Sequence, residues 1–244
     1  MRKILLLVLT MLPMMGYAQD DFGVWASLGA EKKIDKHWSA GIEGEYRSRN
    51  DAKTVDRWSL EADASYKFAN WLKASAGYAF LYDHNKEKTT YKSNGDTNNL
   101  RPSYWGIRHR FHIDLTGDAD LGRFNLSLRE RWQYTYRPEK TTTRYDFDNE
   151  YWEDTTVKGK GKNVLRSRFQ VEYKIPDCAV EPYANVEIFN GWALQKVRYT
   201  LGADWKIRKH HVVGLYYRYQ TVNDDDDDNE PDSHILGVSY TYKF

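Results

Sequence analysis

The chain has 244 residues, with 36 Lys and Arg against 35 Asp and Glu, so it lacks the basic excess expected of a nucleic-acid binder. Aromatic residues reach 15% although mean hydropathy is only −0.80, a combination that fits apolar side chains placed at alternate positions. One cysteine, Cys178, permits no internal disulfide and excludes a disulfide scaffold.

Arg2 and Lys3 precede a mostly apolar run from Ile4 to Met15, and Gly16-Tyr17-Ala18 offers small residues where a signal peptidase reads. We expect a cleavable signal peptide over 1–18 and a single domain over 19–244. No cysteine follows the expected cleavage point, which argues against a lipid-anchored protein. Beyond residue 18 no apolar run is long enough for a transmembrane helix.

The remaining chain repeats one pattern. Weak alternation covers 22–32 and 38–49. Trp58, Leu60, Ala62, Ala64, Tyr66 and Phe68 then alternate with polar neighbours, and Leu72, Ala74, Ala76, Tyr78, Phe80 and Tyr82 form the next apolar face. Trp105, Ile107, Phe111, Ile113 and Leu115 follow, then Phe124, Leu126, Leu128, Trp132 and Tyr134, then Leu165, Phe169, Val171 and Tyr173. Weaker segments at 179–190 and 211–222 flank Val197, Tyr199, Leu201, Ala203 and Trp205; Leu236, Val238, Tyr240, Tyr242 and Phe244 close the chain. Side chains at i and i+2 share one face of a strand, so each segment has an apolar and a polar face. Glu130 and His109 fall on apolar faces.

Short connections near 33–37, 69–70, 117–122, 176–178 and 209–210 alternate with long polar ones near 50–56, 83–103, 137–163 and 223–233. A medium one lies near 190–196. Such sorting is the arrangement of an all-β, antiparallel up-and-down transmembrane barrel, with about ten to twelve strands. Eleven segments are visible; because bacterial barrels normally have an even number, twelve is favoured. Aromatics cluster toward both segment ends, as interfacial girdles do. The ending Tyr242-Lys243-Phe244 resembles the C-terminal signal read by barrel-assembly machinery, with Tyr242 and Phe244 as its aromatic residues. These features predict a Gram-negative outer-membrane location, with lipid and lipopolysaccharide as surroundings.

The opposite, inward face is charged. Glu43, Glu45, Glu61, Asp63, Asp114, Glu172 and Asp204 are expected to meet Arg108, Arg110, Arg129, Arg131, Arg166, Arg168 and Arg218 in an ion-paired lumen. Such a lumen suits a structural barrel, a narrow pore or a surface-binding barrel. An outer-rim hydrolase is the alternative, with Asp83-His84 as its only adjacent acid–histidine pair at a strand end. The Asp224–Asp228 run reads as a solvated acidic loop, lacking the spacing of a calcium loop. No phosphate-binding glycine loop, cofactor fingerprint or metal-ligand cluster is present in the sequence.

Several stretches resemble one family. They are Phe22-Gly23-Val24-Trp25, Leu128-Arg129-Glu130-Arg131-Trp132-Gln133-Tyr134, Leu165-Arg166-Ser167-Arg168, Glu172-Tyr173-Lys174, Glu181-Pro182-Tyr183-Ala184 and Gly214-Leu215-Tyr216-Tyr217-Arg218-Tyr219-Gln220. The chain is similar, over essentially the whole segment after residue 18, to the family catalogued as domain of unknown function 2490. The resemblance implies a signal-bearing outer-membrane barrel and carries no catalytic residue over to this chain.

Overall fold

The structure is a computed structural model that describes residues 20–223 and 231–244. The expected signal segment and the Asp224–Asp228 run lie outside the described residues. Fifteen strands follow in order: β1 (Asp21–Lys33), β2 (Trp38–Arg49), β3 (Thr54–Ala69), β4 (Leu72–Asn85), β5 (Lys88–Tyr91), β6 (Thr97–Arg101), β7 (Tyr104–Leu121), β8 (Phe124–Arg137), β9 (Lys140–Asp146), β10 (Tyr151–Val157), β11 (Lys160–Tyr173), β12 (Val180–Asn190), β13 (Leu194–Ile207), β14 (His211–Val222) and β15 (Ser233–Lys243).

Eleven of these close into a barrel, and β5, β6, β9 and β10 form a separate four-stranded sheet. The barrel neighbours are antiparallel except at the seam, where β1 pairs with β15 in parallel from Asp21 opposite Ser233 to Glu31 opposite Lys243. The favoured count of twelve is thus one too many. With an odd number of alternating strands, the first and last run the same way, and parallel pairing seals the edge that would otherwise expose unpaired backbone.

The barrel is apolar outside and polar within. Leu60 is 52% exposed and Ile113 57%, whereas His112 is 2% exposed and Glu187 5%. Outward aromatics form two bands. Trp58 packs on Tyr46, and Trp105 on Tyr82, near the long-loop rim; Trp38 packs on Tyr66, and Phe124 on Tyr173, near the short-turn rim. The polar exceptions on this face have partners: Ser167 Oγ donates to Glu130 Oε2 at 2.6 Å, and His109 Nδ1 lies 2.7 Å from Tyr78 Oη.

Most short turns sit close to their expected places. The connection expected at 117–122 shrinks to a tight turn, because β7 runs on to Leu121 and pairs with Phe124. Gly122 (φ 63°) supplies the left-handed conformation that a two-residue hairpin needs. The long segments expected as loops at 83–103 and 137–163 instead carry β5, β6, β9 and β10. Threonines at 141–143 and 155–156 favour extended backbone. Arg144 reaches across to Glu153 at 2.6 Å.

Candidate functional site

Strand direction places each inward residue at a level in the lumen. Lys160 opens β11 opposite Arg137, the last residue of β8, so both stand at the long-loop mouth. From there β11 turns Lys162, Val164, Arg166 and Arg168 inward, because alternate residues share a face.

The middle of the lumen is filled by carboxylate-centred clusters. Glu187 accepts from Arg129 Nη2 at 2.5 Å and from Arg166 Nη2 at 2.9 and 3.0 Å, with Arg198 Nη1 3.9 Å away. Asp114 accepts a bidentate pair from Arg131, at 2.6 Å from Nε and 2.7 Å from Nη2. His112 Nε2 lies 3.6 Å from Glu61 and 4.0 Å from Asp114. Nearer the long-loop mouth, Asp83 bridges Arg57 and Arg108, the latter at 2.7 Å. Arg47 Nε donates to Glu45 at 2.6 Å. Buried charges are stable only when paired in this way.

Three inward arginines of the sequence-derived set depart from that scheme. Among the described residues, Arg110 reaches Thr135 Oγ1 alone, at 3.4 Å. Arg218 donates to Thr200 Oγ1 at 3.0 Å and lies over the rings of Trp25 and Tyr216. Arg168 stands opposite Glu187 in the strand register, yet Glu187 is taken by Arg129 and Arg166. The acids are also unevenly placed. Glu43, Asp63, Glu172 and Asp204 lie in the short-turn half, where Lys206 pairs with Glu181, the register partner of Asp204.

The long-loop half is correspondingly basic. A cavity of about 120 Å³ there is lined, among the described residues, by fifteen side chains, of which ten are Arg or Lys and none is Asp or Glu. It adjoins a mouth cavity of about 290 Å³, sharing Arg47, Arg57, Arg108, Arg137 and Arg198 with it. The mouth does contain carboxylates. Asp83 is held by Arg57 and Arg108, Asp56 accepts from Arg49 at 2.7 Å, and Asp21 and Glu87 complete the set. Trp25, Leu81, Phe189 and Ile235 are apolar yet buried inside, and Arg166 and Arg198 lie over the Phe189 ring, each 4.6 Å from its centroid.

The sequence-derived set lacks Arg57, Arg137, Lys160, Lys162 and Lys196, which the cavity brings together with Arg108, Arg110 and Arg166. Continuing the i, i+2 row upward from Arg166 would have reached Lys162 and Lys160. Asp83 and His84 do not assemble as a catalytic pair. Successive strand residues point to opposite faces. Asp83 is buried with its arginines, and His84 stacks on Trp105 at 4.8 Å. Among the described residues no group of three metal-ligating side chains is found.

An inside-out closed barrel with aromatic bands is a β-barrel of the outer-membrane class. The chain belongs to the family described as protein of unknown function (DUF2490), whose model matches residues 22–230. Among solved structures it is similar to the beta domain of the Bordetella autotransporter BrkA, at 13% identity and TM-score 0.50, covering 83% of this chain and 79% of that one. It is also similar to the NanC porin at 14% identity and TM-score 0.46, covering 90% and 94%. The likeness to the autotransporter domain concerns the fold. No curated protein sequence matches.

Proposed function

We propose that this protein resides in the outer membrane as a non-enzymatic barrel and acts as a narrow passage preferring anions, with its long-loop mouth outward. The observation that carries this reading is the lining of the upper cavity, to which the described residues contribute ten cationic side chains and no carboxylate. Guanidinium and ammonium groups in a confined lumen raise the local anion concentration and repel cations. A second reading, a barrel that binds anions at the mouth without conducting, is favoured by the filled middle, where His112 is fully buried.

Planar-bilayer recording under a salt gradient tests the proposal. The reversal potential should indicate anion preference, and Arg110→Glu or Lys162→Glu should reduce it. A cation preference in the unaltered barrel, or identical selectivity in both variants, overturns the reading. Complete absence of current leaves the mouth as a binding site alone.

A further inference from the structure

We infer that the basic cavity binds a linear polyanion bearing several oxyanion groups, carboxylate or phosphate, rather than single small anions; this rests on the proposed role of that cavity. The cations are arranged in columns along strands. β11 contributes Lys160, Lys162 and Arg166, and β7 contributes Arg108 and Arg110. Neighbours at i and i+2 on a strand are about 7 Å apart along its axis, so each column offers charges at regular intervals down the lumen wall. A compact anion engages one level of such a column. A chain of anionic groups engages several levels, and Arg47 of β2 and Arg57 of β3 add cations from farther round the wall.

Two further features limit where the chain can go. Below the cavity, Arg129 and Arg131 are committed to Glu187 and Asp114, and Arg166, at the cavity floor, also pairs with Glu187. Deeper still, Glu43, Asp63, Glu172 and Asp204 present acidic groups from the short-turn half. A polyanion threading in from the long-loop mouth therefore loses its attraction about halfway down and is held in the upper half. Arg110, whose hydrogen-bond partner among the described residues is the neutral Thr135, lines this space with a cation that an oxyanion would satisfy.

Calorimetric titration of the purified full-length barrel in detergent tests this, with tripolyphosphate, tri-galacturonate, acetate and neutral maltotriose as probes. The two trianions should bind, acetate and maltotriose should not, and trianion affinity should fall as salt rises. The stronger trianion identifies phosphate or carboxylate as the recognised group. The double variant Lys160→Gln/Lys162→Gln, at the mouth and away from the ion-paired middle, should weaken trianion binding about tenfold or more. Arg110→Gln should weaken it too, and Lys32→Gln at the other end should not. Heat-dependent gel mobility verifies that each variant is folded. Trianion binding no tighter than that of acetate or maltotriose, or unchanged in the folded mouth variant, overturns the inference. A barrel that is anion-selective in bilayers yet fails this titration leaves the passage intact and removes the polyanion. Trianion binding without ion selectivity does the reverse.

Discussion

Arg131 and Arg168 carry the same charge on the same wall of the lumen but are held differently. Arg131 is clamped by both oxygens of Asp114, and the two side chains retain 11% and 5% exposure. Removing one partner of such a pair strands the other, at a cost of about 3 kcal/mol. Arg168 has no carboxylate within ion-pair distance among the described residues and stands opposite Arg129, its cross-strand neighbour. We therefore expect Arg131→Ala to lower the temperature at which the barrel loses its folded gel mobility, and Arg168→Ala to lower it less or raise it. Equal losses in the two variants would contradict this division. Strand parity made the inward direction of both residues readable from sequence. Their different partners were not, because Glu187 lies far along the chain and is shared among arginines of three other strands.

At the level of elements, the turn between β1 and β2 shows how a polar residue secures a hairpin. Asp35 Oδ1 accepts from the backbone N–H of His37 and of Trp38, each at 2.7 Å, beyond the membrane-facing band. Those N–H groups, Trp38 first and His37 next, hold the Asp35 carboxyl below its ordinary value of 3.8. A carboxyl depressed on folding stabilises fully above its unfolded value, and that contribution is lost as pH falls through the folded one. The stability difference between the unaltered barrel and Asp35→Ala should therefore be constant near neutrality and close as pH drops below about 4. Thermal unfolding in detergent across that range checks it; a difference that persists in acid would mean the carboxylate is not what holds the turn.

The strands themselves varied in how openly the sequence displayed them. β3, β4, β7, β8, β11 and β13 were legible because lipid on one side and charge on the other enforce strict alternation. β5, β6, β9 and β10 were hidden inside polar segments, since a strand with polar residues on both faces carries no period-two contrast. The Thr-rich runs at 141–143 and 155–156 were the available signal, and propensity alone is weak.

For the whole molecule, the decisive feature is the parallel seam. No local pattern announces that β1 pairs with β15, because register between chain ends depends on the number of strands between them. The pairing makes Ala26 the neighbour of Val238. In a background with Cys178 replaced by Ala, Ala26→Cys with Val238→Cys should form an oxidant-dependent cross-link that keeps the barrel closed on a non-reducing gel. Shifting one partner to Ser233→Cys should abolish it. A cross-link formed equally well from either position would mean the seam is not in this register.

The seam also decides how the chain can be rewired. Its eleven paired positions span about 33 Å along the strand, from one rim to the other. In an even-stranded barrel both ends of the sheet emerge on the same rim, and a few residues suffice to join them and reopen the chain at a loop. Here β1 starts at the long-loop rim and β15 finishes at the short-turn rim. A joining peptide would have to cross the full height of the wall. Outside, lipid would leave its backbone without hydrogen-bond partners. Inside, the clusters around Glu187 and Asp114 stand in the way. Circular permutation, which even-stranded barrels permit, is closed to this one, so the order in which its strands leave the ribosome is part of its architecture.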